Sequence, residues 1–136
     1  MSKLYLEVVT PARVVVSREV DSVVAPGSEG EFGVLPEHVA FLTGVVPGEL
    51  RYASGPEKVS LAVTSGFAEV SNNRVSVLVD AAEKSSDIDV DRAKRAMERA
   101  KERLTMGHDR KDIDFLRAEA ALRRAVARLK VAQKSI

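Results

Sequence analysis

The hydrophobic period of this chain changes once, at Asp87-Ile88-Asp89-Val90-Asp91-Arg92-Ala93, and that change constrains the fold more than any other feature. Before it, apolar and polar residues alternate in short runs broken by Gly, Pro and Asn, the period-two signature of half-buried strands. After it, apolar residues recur three and four apart among Ala, Arg, Lys, Glu and Leu, the stripe of an amphipathic helix. The reading is an all-β N-terminal sandwich or flattened barrel over residues 1–84, followed by a C-terminal antiparallel two-helix hairpin over residues 85–136.

In the first part, Leu4, Leu6 and Val8 alternate with Tyr5, Glu7 and Val9, and Pro11 breaks the run before Val14-Val15-Val16. Val20 and Val24 sit at strand spacing and lead to a turn signal at Ala25-Pro26-Gly27. Val59, Leu61 and Val63 alternate cleanly, as do Val75, Val77 and Val79. Asn72-Asn73 between two such runs predicts a two-residue hairpin turn, because Asn tolerates positive φ. The segment Gly30 to Phe41 breaks the rhythm. It reads either as strand, turn and strand with Phe32, Val34, Leu35, Val39 and Phe41 in the core, or as a surface loop offering Glu31, Glu37 and His38 to a partner.

In the second part, Val90, Ala93, Met97, Ala100 and Leu104 form one stripe, and Phe115, Ala118, Leu122, Ala125, Leu129 and Ala132 another. Gly107 is placed to cap the first helix, and residues 107–111 form a short polar connection. About half of each seam is alanine, whose methyl contributes roughly 0.8 kcal/mol on burial against ~1.5–3 kcal/mol for Leu or Phe. Good helix formers with a weakly gripping seam are what a movable arm requires. Arginines repeat on faces: Arg92 with Arg99, flanked by Arg95 and Arg103, and then Arg117, Arg124 and Arg128. They form either a solvated face, with Glu119 and Arg123 paired at i,i+4, or two stripes converging on an anion that guanidinium forks can hold. The opening stretch is explained by helix initiation in every residue but Arg92: Asp89 as N-cap, Asp91 on the positive helix end, Ile88 and Ala93 as a hydrophobic staple.

Charge divides with the periodicity. Residues 1–82 carry six Lys/Arg and ten Asp/Glu, a net −4, while residues 83–136 carry fifteen and ten, a net +5. Such opposition suits halves that attract each other or that meet different partners. The chain has no cysteine and two distant histidines, His38 and His108, which excludes thiol chemistry and argues against a histidine metal site. There is no phosphate loop, nucleophile elbow or HExxH, and the carboxylates are scattered, so an independent enzyme is not expected. Few aromatics lie in the basic half, which argues against nucleic acid. No apolar run nears the ~20 residues of a membrane span, and no secretory pattern opens the chain. A cytosolic protein, at a membrane only through a partner, is the expectation.

Several segments together resemble the epsilon subunit of bacterial F-type ATP synthases: Val9-Thr10-Pro11, Gly30 to His38, Ser65-Gly66-Phe67-Ala68-Glu69-Val70, Ala81-Ala82-Glu83 and the helical tail from Asp87. The resemblance covers nearly the whole chain. It implies a non-catalytic rotor subunit of a proton-translocating synthase, peripheral on the cytoplasmic face of the bacterial inner membrane. Its sandwich would bind the gamma subunit and the c-ring, with Glu31 toward the c-ring and His38 toward gamma. Its hairpin would block hydrolysis when extended toward the catalytic beta subunits. When folded down it would bind ATP as a regulatory ligand, with no cofactor required, through the family's Ile-Asp-x-x-Arg-Ala motif. Here that motif is Ile88, Asp89, Arg92 and Ala93, joined by Glu83, Arg99, Arg124 and Arg128. Asp91 departs from the pattern, setting a carboxylate beside Arg92. Two alternatives keep less of the family picture: basic helices that inhibit by charge pairing without sensing ATP, and a free-standing adaptor for an acidic partner.

Overall fold

The computed structural model describes residues 3–106 and 114–133. Ten strands form one highly coiled sheet: β1 (Leu4–Val9), β2 (Val14–Val20), β3 (Ser22–Gly27), β4 (Gly30–Val34), β5 (Phe41–Val45), β6 (Gly48–Ser54), β7 (Glu57–Val63), β8 (Gly66–Ser71), β9 (Arg74–Val79) and β10 (Ala82–Lys84). Their order is β10-β7-β6-β3-β5-β8-β9-β1-β2, with β4 added on β3. All pairings are antiparallel except β1 with β9. The sheet nearly closes where β2 meets β6. There Arg18 donates to Glu57 at 2.7 Å and Ser54 at 3.1 Å, and its guanidinium lies over the Tyr52 ring.

The core is what the alternation predicts. Leu4, Leu6 and Val8 point inward and are buried, as are Leu61 and Val63 of β7 and Val75 and Val77 of β9. Asn72 and Asn73 make the β8–β9 turn at φ 52° and 60°, the left-handed values that hairpin requires. One expectation needs correction. Pro26 and Gly27 are not a turn but the end of β3, paired with Glu31 and Gly30. Val23 and Ala25, not Val24, face the core, because Asp21 breaks the chain between β2 and β3 and resets the alternation. Proline is tolerated at this point because a strand end can spare its amide proton.

After β10 a single 3-10 turn (Ser85–Asp87) leads into α1 (Val90–Met106) and α2 (Phe115–Gln133). Asp89 caps α1: its Oδ1 accepts from the Arg92 amide at 3.0 Å, and its carbonyl accepts from Ala93. Asp114 caps α2 in the same way, through the amides of Arg117 and Ala118. The two helices pack on each other, and α2 lies against β6, β7 and the 3-10 turn, so the hairpin is folded down on the sandwich. Gly107 and the 107–111 connection lie outside the described residues.

The seam is alanine-rich, as its sequence required: Ala93 and Ala100 of α1 and Ala118, Ala125 and Ala132 of α2 are buried. Val90, at the start of α1, departs from the predicted stripe and is exposed. Ala127 and Val131, off the predicted seam, are also buried. Val131 and Ala132 form a small apolar cluster with Ala62 of β7 and Ile88 of the linker, the seat of the hairpin on the sandwich. Among the described residues no helix is long and apolar enough to cross a membrane.

Candidate functional site

Between the two helices and the β10 edge lies an open cleft of about 380 Å³. Its floor and walls are small: Ala96 and Ala100 of α1, Ala118, Ala121 and Ala125 of α2, and Thr64 and Ala81 of the sandwich. Larger seam residues would have closed it. Its rim is charged, with Arg99 and Arg103 from α1, Arg124 and Arg128 from α2, and Glu83 from β10. Within each helix the two arginines are four residues apart, hence about 6 Å along the axis and on one face. Two guanidinium pairs, one from each helix, thus line a cleft walled largely by methyl groups. Four forks rich in N–H donors, with one carboxylate among them, are groups able to hold an anion.

Arg128 is engaged already. Its Nε lies 2.7 Å from Glu83 Oε1 and its Nη2 donates to Oε2 at 3.4 Å. The Nε proton points off this line, so the shorter contact counts as an ion pair and the longer as the hydrogen bond. Both side chains are more than two-thirds buried. Arg99, Arg103 and Arg124 are exposed, with their heads free of that pair.

Of the residues singled out in the sequence, Glu83, Arg99, Arg124 and Arg128 come together here. Arg103, noted there only as a neighbour of Arg99, completes the set; its i,i+4 spacing was the available signal. Ile88, Asp89, Arg92 and Ala93 do not line the cleft. Ile88 is buried under α2, Asp89 caps α1, Ala93 is buried in the seam, and Arg92 and Asp91 are exposed on the first turn. Arg92 stands two turns from Arg99, about 10 Å along the helix.

Glu31 lies on β4 and His38 in the turn that follows. Arg51 of β6 clasps Glu31 with both ends of its fork, Nη1 to Oε2 at 3.1 Å and Nη2 to Oε1 at 3.2 Å. The Arg51 hydrogen bonds, more than its charge alone, hold the Glu31 carboxyl below the usual carboxylate range; Lys130 of α2 acts in the same direction. The same Arg51 reaches the buried Glu49 at 3.5 Å. His38 Nδ1 lies 2.7 Å from the Val39 carbonyl, and its ring meets Phe41 edge-on.

The Gly30–Phe41 segment has the strand-turn-strand geometry, but its side chains do not all enter the core. Val34 is buried, whereas Leu35 and Val39 are 64% and 75% exposed. The turn is held from outside: Glu37, at φ 70°, donates its amide to Asn73 Oδ1 at 2.7 Å and accepts from Asn73 Nδ2. Next to it the sequence reading missed a surface. Leu42 of β5, Phe67 of β8 and Leu78 of β9 occupy outward positions of adjoining strands and are all more than half exposed. Large apolar residues at the polar places of alternating strands were the signal.

Comparison with known proteins gives the family. Residues 3–85 match the ATP synthase delta/epsilon chain beta-sandwich domain, and residues 86–133 match the long alpha-helix domain of the same chain. The ATP synthase epsilon chain of Syntrophobacter fumaroxidans is 54% identical over 133 residues, 98% of each chain. That of Carboxydothermus hydrogenoformans is 53% identical over 102 residues, 75% of this chain and 76% of its own. A chain of the Euglena gracilis mitochondrial ATP synthase, 22% identical, shares the fold over 98% of this chain and 82% of its own, at a TM-score of 0.83. With both halves matched in order, the chain belongs to the ATP synthase delta/epsilon family, as a non-catalytic epsilon subunit.

Proposed function

We propose that this subunit belongs to the central stalk of a proton-translocating F-type ATP synthase, peripheral to the membrane, and that its hairpin reports the ATP level. The sandwich grips the gamma subunit and the c-ring through the Glu31–His38 segment and the adjoining apolar face of Leu42, Phe67 and Leu78. The hairpin binds ATP in the folded-down state and blocks hydrolysis when it extends toward the catalytic beta subunits.

The observation that carries the sensing part is the convergence of Arg99, Arg103, Arg124 and Arg128 on one cleft that exists only while α1, α2 and β10 are together. A ligand that binds only this arrangement stabilises it by RT ln(1 + [L]/Kd), about 1.4 kcal/mol at ten times Kd. Against a seam of alanines that is enough to shift the hairpin. High ATP then favours the down, permissive state, and low ATP the extended one. Asp91 is not among the residues that line the cleft.

Titration calorimetry on the subunit tests the reading. Saturable heat at millimolar ATP is expected, falling at least ten-fold in affinity for Arg99→Gln and Arg124→Gln, since each removes a charge-assisted fork from phosphate. The absence of heat at millimolar ATP would leave the charge-pairing mechanism in its place.

A further inference from the structure

Glu83 belongs to the sandwich and Arg128 to the hairpin, so their contact spans the joint between the two. Glu83 is fixed by backbone pairing: β10 lies along β7 with Glu83 opposite Ala62. Ala62 is the sandwich's contribution to the apolar seat that receives Val131 and Ala132. Latch and seat are therefore cross-strand neighbours on one sheet. The buried part of the seat is small, two alanines with one valine and one isoleucine beside the contact of α2 with β6, so an ion pair with two contacts and more than two-thirds of each side chain buried adds to a modest hold.

We propose that the Glu83–Arg128 pair is a latch that keeps the hairpin folded down while the cleft is empty, and that a bound polyanion takes over the same Arg128. With no ligand, Arg128 is neutralised by Glu83 and ties α2 to β10. With phosphate in the cleft, Arg128 can turn to the ligand, and Arg99, Arg103 and Arg124 then hold α1 and α2 around it. The two holds are alternatives because they share one guanidinium. Down-state docking thus has a ligand-free baseline set by Glu83, which the ligand raises. The latch does not depend on the nucleotide reading; only the hand-over rests on it.

The experiment is amide hydrogen exchange on the full chain, comparing wild type, Glu83→Gln, Arg128→Gln and the double variant, with sandwich-strand amides as the internal standard of folding. Without ligand, each single variant is expected to speed exchange of the α2 amides about five-fold, as a partly buried, doubly contacted ion pair would. The double variant should be no faster than either single one, because both remove the same contact. Single variants that exchange like wild type, or a double variant whose effect is the sum of both, would overturn the latch. Inorganic tripolyphosphate is the second arm. It is expected to return Glu83→Gln, which keeps all four arginines, to wild-type protection while leaving Arg128→Gln fast. No response in Glu83→Gln, with the ligand-free result intact, would overturn the hand-over and leave the latch standing.

Discussion

Gly66 opens β8 beside β9, and there the partner strand leaves no room for a side chain. A Cβ on it would lie 1.9 Å from the Leu78 carbonyl oxygen and 2.7 Å from the Val79 Cα, both backbone atoms that cannot rotate aside. The requirement is for close approach, since the position has no positive φ. Gly66→Ala is expected to cost about 2–3 kcal/mol by overpacking, read as a lower urea midpoint for the sandwich. An unchanged midpoint would mean that β8 and β9 slide apart without loss. Other single residues act through partners far along the chain. Asn73 makes a hairpin turn that its sequence announces, yet its side chain also clamps Glu37, thirty-six residues away, in a left-handed conformation. The turn was legible because it depends on Asn alone. The clamp was not, because it depends on where β4 and β9 come to rest.

At the scale of the element, the hairpin's helices are held by their own ends as much as by each other. Asp89 and Asp114 each satisfy an orphan amide at a helix start. Asp89→Ala should therefore cost about 1 kcal/mol of α1 stability, while Asp89→Ser, which keeps an acceptor, should cost a few tenths. Helical circular dichroism through thermal unfolding reads the difference, and equal losses from both variants would show that Asp89 acts through something other than the cap. The arginine faces are also properties of the element: the 3.6-residue period is enough to put Arg99 with Arg103 and Arg124 with Arg128. Which helix face meets which does not follow from that period. The alanines at 118, 125 and 132 mark one face of α2, but burial of Val131, off that face, comes with its second contact, on Ala62 of the sandwich.

For the whole molecule, the division of labour sits at the joint after Lys84. Among the described residues, all nineteen of the main apolar core come from positions 4 to 82, and none of them from the hairpin. A chain ending at residue 84 is expected to keep its sheet spectrum and a cooperative melt, because that core draws no residue from the helices, which rest on β6 and β7. Loss of cooperativity on that truncation would mean that α2 supports β6 and β7 rather than resting on them. The all-β body, the helical tail and the point of change between them are written in the order of residues, because alternation at period two and at three-to-four is local and each period has one solution. So is the weakness of the seam, since methyl groups bury little area wherever they pack. Packing in three dimensions was needed to bring Glu83 and Arg128, forty-five residues apart, together as a pair, and to frame one cleft with four arginines from two helices. It also set the Ile88–Ala93 motif outside that cleft's lining. Convergence of side chains depends on the angle and depth at which elements pack, and no period in a sequence encodes either.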